Sequence, residues 1–168
     1  CWGRNVEGQA GYSGVPTSTG SDIQAMSSML PVEVVKGTSG AGLVVDACAG
    51  AGFTCAVLST GPVRCWGNSS IPGILGTDTP ADVRGYGPGM PGYPVWRGSK
   101  VQLGKFHAVR VTCGMAHACA LSKRGVVKCW GDAQATGTGA VGGAGAGSVA
   151  TPQCVGVAER PVVSAGRV

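Results

Sequence analysis

Cys55-Ala56-Val57-Leu58-Ser59-Thr60-Gly61-Pro62-Val63-Arg64-Cys65-Trp66-Gly67 reads as two short strands joined by a three-residue reversal. Loops of this length are commonly a type I turn closed by a left-handed glycine, and Ser59-Thr60-Gly61 places glycine third. The loop length fixes the register: Leu58 faces Pro62, Val57 faces Val63, Ala56 faces Arg64 and Cys55 faces Cys65. Directly opposed Cβ atoms lie about 4.5–5.5 Å apart, near the upper part of the range a disulfide accepts. One residue fewer in the loop would set Cys55 against Trp66 and forbid the bond, so the glycine position and the cysteine pair support each other.

The same phrase returns downstream. Val45 through Leu58 is answered by Val109 through Ser122, with Gly50 matching Gly114 and Cys55 matching Cys119. With Lys123-Arg124-Gly125 as the loop, Ser122 faces Val126 and Cys119 faces Cys129, a second cross-strand staple. Cys-Trp-Gly occurs at Cys1, Cys65 and Cys129, and a further start, Val162-Val163-Ser164-Ala165-Gly166, follows. The triplets are evenly spaced, but only the step from the landmark glycine to the triplet is constant, at 15 residues. The other steps vary, so insertions hide a unit of about 45 to 50 residues, the length of a four-stranded propeller blade.

The reading is therefore all-β, part of a β-propeller of about two and a half to three four-stranded blades with long loop insertions. Taking Pro31, Pro80 and Pro152 as blade openers divides the chain into 1–31 (the C-terminal half of a blade with a long loop), 32–80 (a blade with the first cysteine pair), 81–152 (a blade with a Tyr/Pro/Trp insertion and a Gly/Ala loop) and 153–168 (the start of a further blade). Cys1 occupies the position of Cys65 and Cys129, and the chain stops before the next expected cysteine, so both ends fall inside a hairpin. The expectation is a segment of a longer polypeptide, or one completed by other chains.

Composition narrows the function. Of 168 residues 31 are Gly and 10 are Pro, and only 12% are charged, a balance close to disorder that eight cysteines argue against. The +5 net charge is scattered, with no run of three cations, so no basic stripe follows a nucleic-acid backbone. No stretch approaches the roughly 18 apolar residues a membrane span needs. The cysteine content, together with an Asn68-Ser69-Ser70 glycosylation acceptor in a turn, points to an oxidising compartment, extracellular or at the cell surface. Cys1, Cys48, Cys113 and Cys154 cannot be paired from sequence; Cys48 and Cys113 are one register apart in the aligned strands and point to opposite faces.

These phrases resemble the repeat of the regulator-of-chromosome-condensation family. Trp2-Gly3-Arg4-Asn5-Val6-Glu7-Gly8-Gln9-Ala10-Gly11 is similar to its W-G-x-N-x-x-G-Q-x-G signature, and Val111-Thr112-Cys113-Gly114-Met115-Ala116-His117 to its V-x-C-G-x-x-H. Gly73-Ile74-Leu75-Gly76 keeps the glycine frame one residue late, whereas Asp132 to Gly139 keeps little. The cysteines of C-A-x-L and C-W-G make the chain look like a secreted branch of that superfamily, similar in architecture to the β-lactamase-inhibiting propeller. The resemblance implies a seven-bladed ring of which this chain supplies a part. The family's nucleotide-exchange loops have no match here and no residue is carried over from them.

Catalytic groups are sparse. His117 falls where the repeat packs a histidine between strands, and His107 has no partner in sequence. Cys113, His117 and Cys119 match no tetrahedral ligand spacing, so neither metal nor cofactor is expected. No nucleophile elbow, phosphate loop or carboxylate pair occurs, and enzyme activity is not expected. Binding belongs to the loops. The insertion from Arg84 to Arg97 carries Tyr86, Met90, Tyr93, Trp96 and Arg97 on a proline-stiffened frame, a composition suited to protein or glycan recognition. Asp22 to Leu30 could form one or two helical turns, and Ala135 to Thr151 is a Gly/Ala excursion. The function expected is a non-enzymatic extracellular structural and recognition module, a propeller segment of a surface, matrix or appendage assembly whose partners are other protein chains or the rest of the same ring. The alternatives are a soluble inhibitor or lectin-like propeller acting through rim loops, and an intracellular nucleotide-exchange or chromatin-adaptor propeller.

Overall fold

The computed structural model describes residues 1–11, 18–19, 26–27, 29, 31–35, 42–68, 73–76, 99–132 and 149–154. Ten strands lie within them. A short pair, β1 (Gly3–Arg4) and β2 (Ser18–Thr19), precedes two four-stranded antiparallel sheets. The first runs β3 (Val44–Ala49), β4 (Phe53–Leu58), β5 (Val63–Gly67) and β6 (Ser99–Lys100); the second runs β7 (Ala108–Cys113), β8 (His117–Ser122), β9 (Val127–Gly131) and β10 (Val149–Cys154). Each is an up-and-down meander in chain order, the build of a propeller blade.

The turns set the registers. Leu58 N–H donates to the Pro62 carbonyl at 2.9 Å, Gly61 N–H to the Leu58 carbonyl at 2.7 Å, and Gly61 holds φ at +102°. The second loop repeats this through Ser122 N–H on Val126 O and Gly125 at φ +78°. Cys55 thus stands opposite Cys65, and Cys119 opposite Cys129. Each first strand carries one extra residue where the pairing shifts, between Val44 and Asp46 in β3 and between Ala108 and Arg110 in β7. Such bulges deepen the local twist.

These sheets divide the chain differently from a reading that opens blades at Pro80 and Pro152. The 77–98 insertion falls between the third and fourth strands of one sheet, and Pro152 lies inside β10, the outermost strand of the next. An edge strand tolerates a residue with no N–H to give the ladder.

β4 is buried at every position, which a strand attains only when both faces of its sheet are covered. On one face Phe53, Cys55, Val57, Val63 and Cys65 pack against Val111, Ala118, Ala120 and Trp130 of the second sheet, together with Ile74, Leu75, Val101 and Leu103. On the other, Ala56, Leu58 and Trp66 close over Val34. The alanines of β8 let the two sheets approach closely, and this seam is the main core. Of the segment expected to be helical, Met26 and Ser27 are in helical conformation and most of the remainder lies outside the described residues.

Candidate functional site

The seam between the sheets is where the repeat phrases acquire a purpose. In the first loop Asn5, 4% exposed, accepts Ala10 N–H on Oδ1 at 3.0 Å and Gly8 N–H on its carbonyl, while Gly11 N–H closes on Gly8 O. This turn presents the Gln9 carbonyl to the next blade, where Trp66 Nε1 donates to it at 3.1 Å and Thr54 Oγ1 at 2.8 Å. One unit on, Gly76 N–H closes on Gly73 O and the Ile74 carbonyl receives Trp130 Nε1 at 3.1 Å. Trp66 and Trp130 therefore each clip their blade to the glycine-framed loop that precedes it.

Further links cross the seam. Asp46 Oδ2 accepts Val111 N–H at 2.8 Å, Ala108 N–H donates to Gly61 O at 3.0 Å, and Ala51 N–H to Met115 O at 3.2 Å. Gly50 is required by close approach: a Cβ there would overlap the Phe53 ring and come within 2.6 Å of the Gly114 carbonyl. His117 plays the part of Phe53 in the second blade, its half-buried ring lying over Gly114.

Three disulfides join Cys55 to Cys65, Cys119 to Cys129 and Cys48 to Cys113. The first two lie across hairpins; the third ties β3 to β7 and so one blade to the next. Sequence reasoning left Cys48 and Cys113 unpaired, although it contained the signal. Cys48 shares the face of Cys55, and Cys113 the face of Ala118. Because blades stack face to face, residues on opposite faces of equivalent strands are the ones that meet.

A cleft of about 350 Å³ opens beside β3, lined by Trp2, Arg4, Gln9, Ala47, Ala49 and Thr54. Trp2 is 68% exposed on its wall. On the outer strands Arg64 stands in register with Lys100, and burial lowers the Arg64 guanidinium below its ordinary pKa. Asn68 is half-buried at the end of β5, its N–H donating to Gly52 O. Tyr86, Met90, Tyr93, Trp96 and Arg97 lie outside the described residues. Cys1 is exposed and has no disulfide partner among the described residues. No helix among the described residues is long and apolar enough to cross a membrane.

Sheets of this order, stacked face to face and clipped from loop to strand, define a segment of a β-propeller. Residues 44–70 match the regulator of chromosome condensation (RCC1) repeat, and the blades are of that type. None of the curated proteins matches the chain. Among solved structures the chain resembles Prp20p from Saccharomyces cerevisiae, described with its binding properties to Gsp1p and histones, at 16% identity and TM-score 0.59 over 94% of this chain and 34% of that one. It also resembles yeast RCC1 (Prp20) with Kap60 bound (16% identity, TM-score 0.55, 94% of this chain and 32% of that one). Human WBSCR16 is similar at 20% identity and TM-score 0.55, over 93% of this chain and 34% of that one. The chain thus spans about a third of the length of these propellers, and at such identities the likeness carries the fold.

Proposed function

We propose that the chain is a non-catalytic protein-binding propeller segment working in an oxidising compartment, at the cell surface or outside it, as part of a larger assembly. The observation that carries this reading is the set of three disulfides, one of them between blades. Structural disulfides persist outside reducing compartments. The rim insertion with Tyr86, Met90, Tyr93, Trp96 and Arg97 is the recognition element, and Asn68 the glycan acceptor.

Intact mass of the full-length parent, with and without reduction and deglycosylation, tests the compartment. Expected are a gain of about 2 Da per bridge on reduction, with Cys48–Cys113, Cys55–Cys65 and Cys119–Cys129 all bridged, and loss of a glycan mapping to Asn68. Six cysteines open to alkylation without reductant would overturn it. Alanine replacement of Tyr86, Tyr93 and Trp96 tests the recognition loop, with loss of partner capture at unchanged unfolding midpoint as the expected outcome.

A second reading has its own support. The yeast propellers are described with Gsp1p, histones and Kap60 as partners, which favours an intracellular adaptor. Free thiols at Cys55, Cys65, Cys119 and Cys129 in freshly lysed cells select it.

A further inference from the structure

Four cysteines meet at the seam. Cys48 on β3 stands in register with Cys55 on β4, Cys55 stands opposite Cys65 on β5, and Cys113 reaches across from β7. The sulfurs of Cys48, Cys55 and Cys113 lie within 4.8 Å of one another, although they belong to two different disulfides. Cys48 therefore has two partners in reach: Cys113, which ties blade to blade, and Cys55, which belongs to its own sheet. Access separates the two bonds. Cys55 and Cys65 are both 0% exposed, whereas Cys48 and Cys113 are half-buried, so a thiol from solvent meets the inter-blade bond first.

We propose that Cys48–Cys113 is a thiol-exchange site, open to low-molecular-weight thiols and dithiol reductants, that hands the exchange on to the buried Cys55–Cys65 bond. The incoming thiolate attacks Cys113 Sγ; a mixed disulfide forms there as the Cys48–Cys113 bond breaks, and Cys48 leaves as the thiolate with the bonding pair. Cys48 then attacks Cys55 Sγ. The Cys48–Cys55 bond forms, the Cys55–Cys65 bond breaks, and Cys65 leaves and takes a proton. Each step trades one disulfide for another without net oxidation; one external thiol is consumed and one protein thiol appears. The covalent tie between blades becomes a bond within the first sheet, which uncouples the seam and moves the staple of that sheet from β4–β5 to β3–β4. The other hairpin lacks this route, because Thr112 stands opposite Cys119 on β7, where Cys48 stands opposite Cys55 on β3.

The test uses the whole chain with Cys1→Ser, which removes the exposed thiol, under native conditions. Pulses of reduced glutathione are quenched in acid, free thiols are alkylated, and disulfides are mapped by mass spectrometry without reduction. Expected is a Cys48–Cys55 peptide arising together with glutathione on Cys113 and an alkylated Cys65. The Cys55–Cys65 bond is expected to open about tenfold faster than in Cys48→Ala/Cys113→Ala, while Cys119–Cys129 opens at the same rate in both and so reports an intact fold. Complete opening of Cys48–Cys113 with Cys55–Cys65 retained and no Cys48–Cys55 peptide overturns the proposal without recourse to any variant. Equal rates of Cys55–Cys65 opening in the two proteins overturn it as well, as does isolation of the chain with all four thiols free on a bound thiophilic metal ion.

Discussion

Removing the inter-blade disulfide with Cys48→Ala/Cys113→Ala is expected to destabilise the chain more than removing a hairpin disulfide with Cys119→Ala/Cys129→Ala. The magnitude follows from the loops each bond closes. Cys119 and Cys129 are 10 residues apart, Cys48 and Cys113 are 65 apart, and the intact Cys55–Cys65 bridge shortens the latter path to about 56. Loop-closure entropy then gives about 2.7 kcal/mol for the hairpin bond and about 4.2 kcal/mol for the inter-blade bond at room temperature. Both replacements delete the same atoms, so the loss of sulfur packing is similar and the difference of about 1.5 kcal/mol isolates the chain term. Urea unfolding followed by tryptophan fluorescence measures it, since Trp66 and Trp130 are buried at 3% and 0% exposure. An inter-blade variant as stable as the hairpin variant would refute the reasoning, because it would mean that the two blades are already held together in the unfolded ensemble.

Trp130→Phe strands the Ile74 carbonyl in the core and is expected to cost about 2 kcal/mol; Trp66→Phe is expected to cost about 1 kcal/mol, because Gln9 O keeps the Thr54 hydroxyl. The same urea titrations rank the two, and the reverse order would contradict the clip. Gly50→Ala drives a methyl toward the Gly114 carbonyl and is expected to cost about 2 kcal/mol, whereas Gly104→Ala, with open space and φ +66°, is expected to cost about 1 kcal/mol, both read as shifts in thermal midpoint. Lys100→Glu sets an acid opposite Arg64 in place of a second cation; a gain of about 0.5 kcal/mol is expected at low ionic strength and is expected to fade in molar salt.

The hairpins were legible because everything that sets them is local. A glycine in third place fixes the reversal, the reversal fixes the register, and the register sets Cys55 against Cys65. The repeat gave the blade, since a phrase that returns with its cysteines, glycine and tryptophan in place must fold the same way twice. Blade limits were less legible: Pro80 and Pro152 mark turns and edges as readily as beginnings, and which strand closes a sheet depends on partners beyond an insertion. The reach of the Cys-Trp-Gly indole was hidden too, because its acceptor is a backbone carbonyl some 56 residues away, with no side-chain signature of its own.

By itself the sequence determined the strand periodicity, the turn chemistry and the parity that sends Cys48 and Cys113 to opposite faces. Only the tertiary structure decided that these faces meet, that Cys48 lies within reach of two sulfur partners, and that Trp66 and Trp130 each hold the loop before their own blade. The reason is that parity within a strand is set by bonds between neighbours in the chain, whereas the pairing of faces is set by how whole sheets stack to bury Phe53, Val57, Ala118 and Trp130 from water.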